Sequence, residues 1–273
     1  MDQRLERILP RVQKPARYTG GEYNAVIKDK AEIDIRFALC FPDTYEIGMS
    51  NLGCRILYGV MNQEPDIWCE RSFAPWGDME EEMRKAEIPL YALESGDPLA
   101  QFDAIGFSLG YEMAYSNVLN MLDLAGLPLR SADRPGLTPI VLAGGTCCYN
   151  PEPLAPFMDL FVLGEGEEVT LEYLQLLKQA KNEGWDKARF LRQASHIPGI
   201  YVPSLYDVTY HEDGTVAAVT PKYEDVPARV TKRIIQDMDK SYFPVKTIIP
   251  STEIVHDRVM LELFRGCIRG CRF

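Results

Sequence analysis

The sequence predicts an α/β fold in which a mainly parallel, doubly wound sheet of five strands is covered by helices. Three observations lead there. Short, nearly continuous apolar runs recur between Ile33 and Leu163, segments with helical apolar spacing alternate with them, and glycine-rich or polar turns follow the runs. Strand and helix in alternation imply parallel strands joined by helical crossovers, with ligands expected outside the carboxyl ends of the strands.

Residues 1–30 mix charges with Pro10, Pro15, Gly20 and Gly21, and predict a short helix and an irregular arm packed on the first domain. Ile33–Phe41 predicts a buried strand, and from about Ile47 to Met61 the apolar spacing becomes helical. Asp66–Phe73 fits a second strand and Asp78–Ala86 an acidic, exposed helix. Phe102–Ser108 is a third strand, followed by a helix over Ala114–Leu124 that Gly126 and Pro128 end. Pro139–Ala143 and Asp159–Leu163 complete the five strands, the last leading into a helix over Glu167–Lys181. The sheet domain is thus placed at residues 31–182.

Residues 183–250 predict a connecting unit. A helix covers 185–195, Ile200–Tyr223 alternates around Asp213-Gly214 as a hairpin does, and Pro221–Pro250 has the proline and charge content of a linker. Val259–Phe264 then predicts a strand opening a further unit at 251–273.

The 273 residues carry a net charge of −11, which offers no broad attraction to nucleic acid. Arg229, Lys232 and Arg233 form a short basic cluster of the kind found on solvated surface. No apolar run reaches the roughly 18 residues of a membrane helix, and no signal-peptide core follows Arg4, Arg7 and Arg11, so a cytoplasmic location is expected. Seven scattered cysteines do not form a secreted disulfide framework. Cys40, Cys54 and Cys69 fit small core positions, and Cys147-Cys148 a pocket loop.

Four loops follow the strands on one expected edge: Asp43–Gly48, Ser108-Leu109-Gly110, Gly144-Gly145-Thr146 and Gly164–Glu168. Glycine at such turns has a structural explanation in positive φ or close packing, yet four together favour a binding site. Glu165, Glu167 and Glu168 stand where acids complement a helix dipole, and no catalytic side chain is assigned.

The final residues, Phe264 to Phe273, place Cys267 and Cys271 with three residues between them, Gly266 before the first and Gly270 before the second. This pattern resembles the C-x3-C-x-aromatic-C motif of the radical S-adenosylmethionine (SAM) superfamily, with Cys267, Cys271 and Phe273 in the first three diagnostic positions. The resemblance implies a 4Fe–4S cluster held by three thiolates, two of them Cys267 and Cys271, the third falling one residue past this sequence. It further implies the first strand of a truncated barrel, reductive cleavage of SAM to a 5′-deoxyadenosyl radical, an electron donor such as flavodoxin or ferredoxin, and an unidentified substrate. Thiolate ligation of this kind is ordinary iron–sulfur chemistry.

The strand-end loops also resemble the cobalamin-binding domain, a Rossmann-like fold of flavodoxin type with the pattern D-x-H-x-x-G, then S-x-L, then G-G. Asp43 and Gly48 match the first element, Ser108 the second loosely with Leu109 beside it, and Gly144-Gly145 the third, while Gly164 and Gly166 resemble the loop found where this domain precedes a radical SAM barrel. The departure is Tyr45, which stands where the pattern has its cobalt-ligating histidine; His196, His211 and His256 are distant in sequence. The resemblance implies that Asp43, Tyr45, Gly48, Ser108, Leu109, Gly144, Gly145, Gly164 and Gly166 surround a cobalamin whose tail enters the sheet cleft. The alternative is a scaffold or substrate-docking module that binds no cobalamin.

Overall fold

The computed structural model describes residues 3–271. The arm begins with α1 (Gln3–Ile8), whose Leu5 and Ile8 are buried. The core elements then run β1 (Ile35–Phe41), α2 (Tyr45–Gly48), α3 (Leu52–Gln63), β2 (Ile67–Phe73), α4 (Gly77–Lys85), β3 (Ala104–Ser108), α5 (Tyr115–Leu124), β4 (Ile140–Gly144), β5 (Leu160–Val162), α6 (Gly166–Glu183), α7 (Lys187–Ala194) and β6 (Ile200–Tyr201). A separate hairpin, β7 (Tyr206–Tyr210) and β8 (Val216–Pro221), comes after them.

The six-stranded sheet has the order β2-β1-β3-β4-β5-β6. The first five strands are parallel, and β1 through β5 are buried along nearly their whole length, as strands covered on both faces must be. The order reverses between β1 and β3, which makes that edge a switch point for ligands. α3 and α6 pack side by side over the sheet. α4 and α5 form a second pair, tied by Arg84 to Asp123 at 2.8 Å and by Asn120 to Glu80 at 2.8 Å.

Local chemistry sets the helix ends. The single helix expected over Ile47–Met61 is two, because the Asn51 side chain accepts from the Cys54 amide at 2.9 Å and caps α3. Asp186 caps α7 in the same way, accepting from the Arg189 amide at 2.7 Å. The buried Lys187 docks α7 on the sheet through Asp159 at 2.7 Å.

Three further expectations change. The sheet has a sixth strand, because Ile200–Tyr201 pairs antiparallel with β5 instead of opening the hairpin, which is confined to β7 and β8 around Asp213-Gly214. Val259–Phe264 is not a strand: no described strand edge lies beside it, so its backbone has no ladder to join, and Val259, Leu261, Leu263 and Phe264 stand exposed. The stretch 221–250 is irregular as expected, but it is a packed strap. Val226, Ile235 and Ile248 are buried, and Tyr242 lies so close to α3 that a Cβ on Gly59 would meet its hydroxyl at 2.2 Å. Cys40, Cys54 and Cys69 are core residues. No described helix is long and apolar enough to cross a membrane.

Candidate functional site

At the carboxyl ends of β1, β3, β4 and β5 the sheet, α3 and α6 enclose a cavity of about 420 Å³. Its floor is the sheet itself, with Leu39, Leu142 and Val162 presented from three strands. Leu57 of α3 and Tyr173 of α6 form walls, and Glu262 and Arg265 close over the mouth from the far end of the chain. The cavity is mainly apolar with a polar rim, the construction expected of a small-molecule site.

Three of the four strand-end loops meet at this rim. Ser108, Gly144, Gly145, Gly164 and Gly166 all line the cavity. Leu109 lies just behind them, buried, with its carbonyl accepting from the Cys147 amide at 3.3 Å. The first loop takes no part in this cavity. Asp43 accepts from the Thr44 amide at 2.7 Å and from the Tyr111 hydroxyl. Gly48 packs under Phe73 and lines a second cavity of about 270 Å³.

Tyr45 points into the core. It is 1% exposed, stacks edge-on to Phe73 at 5.3 Å between ring centroids, donates to Glu22 at 3.0 Å and accepts from the Ser251 amide at 3.2 Å. Burial and the adjacent Glu22 carboxylate push its phenol well above the usual range, so it stays neutral. None of His196, His211 and His256 lines either cavity.

Two of the rim glycines are required by the protein's own backbone. Gly145 has φ of +114°, and a Cβ there would sit 2.4 Å from the Leu109 carbonyl oxygen. Gly164 has φ of +105°, with the Arg233 carbonyl 2.1 Å from the same position. Gly144 is different, since a Cβ on it would make only ordinary contact with Val162 at 3.5 Å. Cys147 and Cys148 do not line the cavity; the tight turn Thr146–Tyr149 sends both inward, and burial raises both thiols, Cys148 to about 12.

The acids at the start of α6 hold cations from two distant segments. Arg233 pairs with Glu168 at 2.7 Å and Glu172 at 2.6 Å, so it is a fastener of the strap, not a solvated residue. Arg265 reaches Glu167 at 2.5 Å, Glu165 at 3.6 Å and Glu262 at 2.8 Å. Cys267 and Cys271 come next, both free and exposed. The Cys267 sulfur accepts from the Arg269 amide at 3.4 Å, and Phe273 lies outside the described residues. Among the described residues no group of three or more cysteine, histidine or carboxylate side chains is gathered as a metal site.

Behind the first loop, the guanidinium of Arg71 is buried between Glu22 at 2.9 Å and Glu94 at 2.6 Å. Burial, the largest single influence, raises the Glu22 carboxyl, but the charge of Arg71 together with the hydrogen bonds from Arg71 and Tyr45 outweighs it and holds the group below the usual range. This network braces the wall of the second cavity.

Tyr111, Glu262 and Arg265 were not foreseen. The only local signal was the charge of Arg265 beside the cysteines, and its partner Glu167 is 98 residues away in sequence.

Over residues 53–203 the sequence matches the family described as Radical SAM proteins, N-terminal. The match runs from the start of α3 to just past β6 and so includes both sides of the larger cavity. Among curated proteins, Uncharacterized protein MJ0966 of Methanocaldococcus jannaschii is 24% identical over 239 residues, which cover 86% of this chain and 40% of that protein. The chain therefore spans well under half the length of that relative.

Proposed function

The chain belongs to the radical SAM N-terminal family, and from that premise we propose that it is the N-terminal part of a radical SAM enzyme, in which a Rossmann-like domain presents a ligand cavity to a cysteine loop. The observation that carries the reading is the placement of that loop. Arg265, two residues before Cys267, lines the mouth of the strand-end cavity.

The donor set fits an iron–sulfur group as far as it goes. Cys267 and Cys271 are exposed thiols outside any disulfide, with Gly266 and Gly270 leaving open space beside them. In the proposal a third thiolate comes from sequence after Phe273. A 4Fe–4S cluster held there would supply an electron for reductive cleavage of SAM and so start radical chemistry on a substrate. The chain's own part is to fix the loop, to shield the cavity with apolar walls and to place its contents near the cysteines. A flavodoxin or ferredoxin in the cytoplasm is the proposed electron source.

A corrinoid is the proposed cavity ligand, its heterocyclic tail entering between the sheet and the α3–α6 pair. The apolar floor and the open position at Gly144 support that fit. No imidazole stands at the cavity, and Tyr45 is committed to Glu22, so this chain would give cobalt no side-chain ligand from the first loop.

The test has two parts. Anaerobic mixing with hydroxocobalamin, desalting and measurement of corrinoid absorbance per protein should give stoichiometric retention. A cluster-loaded preparation whose sequence continues beyond Phe273 should release 5′-deoxyadenosine from SAM. The burial of Tyr45 and the internal need for Gly145 and Gly164 favour a second reading, a docking scaffold without corrinoid, which no retention by folded protein would support.

A further inference from the structure

We propose that Arg265 is a positioning residue that latches the cysteine loop to the mouth of the strand-end cavity, an inference that rests on reading Cys267 and Cys271 as cluster ligands. The apolar side chains around it have no core to enter: Leu263 is 83% exposed, Phe264 74% and Ile268 104%. The side chain of Arg265 is only 20% exposed, and that of Glu167 10%.

The acceptors are fixed before Arg265 arrives. Glu165 and Glu167 stand at the first turn of α6, and the backbone leading into that turn is pinned at Gly164 against Arg233, whose carbonyl accepts from the Glu165 amide at 3.0 Å. Arg233 occupies Glu168 and Glu172 and the Ile235 amide donates to Glu165, which leaves Glu167 as the close partner of Arg265, with Glu165 at the longer 3.6 Å. Glu262 bonds the same guanidinium through Nε at 2.9 Å and Nη2 at 2.8 Å, stiffening the residues before the turn. The chain then turns at Gly266, with φ of +88°, directly into Cys267. One planar guanidinium thus reaches acids on both segments, a geometry that a lysine ammonium does not reproduce. The latch determines which part of the domain the cysteines face.

The test uses the full chain carrying Cys271→Ser, labelled at Cys267 with a fluorescent maleimide, since the other five thiols are buried. Time-resolved anisotropy should show a mainly slow component set by the whole molecule. Glu167→Gln and Arg265→Gln should shift amplitude into a fast local component with circular dichroism and melting unchanged. Arg265→Lys should recover little of the slow component, whereas the charge exchange Arg265→Glu with Glu167→Arg should recover much of it. Equal anisotropy in the parent, Glu167→Gln and Arg265→Gln proteins would overturn the latch. Iron and sulfide content of unlabelled protein continuing beyond Phe273 is measured separately. A variant-sensitive anisotropy without cluster loading would retain the latch and reject the cluster reading.

Discussion

The carboxylate of Asp43, in the loop after β1, accepts a hydrogen bond from the phenol of Tyr111, in the loop after β3. The two loops leave neighbouring strands at the switch point of the sheet, and this bond joins them across it. The hydrogen bond to Asp43 holds the Tyr111 phenol above its ordinary range, because ionising it would set two negative charges face to face. Asn117 of α5 fastens the same loop by donating to the Pro42 carbonyl at 2.9 Å. The first loop is therefore held from the β3 side while its tyrosine is held from below.

Tyr111→Phe should cost less than about 1 kcal/mol of stability, since the pair is partly exposed and solvent screens it. Hydrogen exchange at the Thr44 amide should nevertheless accelerate, because the carboxylate that holds it is freed. A melting loss of several kcal/mol, or unchanged exchange, would contradict this account.

Arg71→Met should destabilise the fold by about 3–5 kcal/mol, by leaving Glu22 and Glu94 buried without their counter-charge. Urea denaturation at pH 7 measures it. The parent protein carries the corresponding pH signature. Glu22 has a folded pKa below its unfolded value of about 4.5, so the stability it contributes is complete above that pH and is lost as pH falls through the folded pKa. The variant should therefore lose less stability than the parent on acidification below about pH 4.5.

Gly145→Ala should destabilise by about 2 kcal/mol or more, because its positive φ and the Leu109 carbonyl leave no room for a Cβ. Gly144→Ala should melt close to the parent, since its Cβ meets Val162 at ordinary contact, while narrowing the cavity. Its loss of hydroxocobalamin retention, set beside intact melting, would locate a bound corrinoid in this cavity. Full retention would place the ligand elsewhere.

Iodoacetamide on native protein should modify two of the seven cysteines quickly, Cys267 and Cys271, with the other five reacting only on denaturation. Burial raises the thiols of Cys40, Cys54, Cys69, Cys147 and Cys148, which removes thiolate as well as access. Mass spectrometry of the peptides decides it. Rapid labelling of Cys148 would show that the turn after β4 opens.

The parallel strands were legible because each is an apolar run between a turn and a helix, a pattern local to the sequence. β6 was not, since Ile200–Tyr201 is too short to carry a period and is a strand only because β5 offers it an edge. That Ser108, Gly144 and Gly164 stand at strand ends on one edge of the sheet was legible from the strand-helix alternation, and the structure places all three around one cavity. Tyr45 matched a motif position, yet its direction is decided by Glu22 in the arm, which the motif does not contain. Glu167 was legible as a helix-start acid; its bond to Arg265 depends on where a remote segment is laid down, and no window of sequence holds both.

The strap has a consequence for the molecule as a mechanical object. Asn24 donates to the Thr247 carbonyl at 2.9 Å, and Tyr23 pairs with Ile249 as an isolated bridge, so the arm and the lead-in to the cysteines are clasped to one another. A single nick by trypsin after Lys30, whose side chain is exposed, would thus loosen a loop at the opposite end of the sequence. The beginning of the chain serves as the hasp for its end.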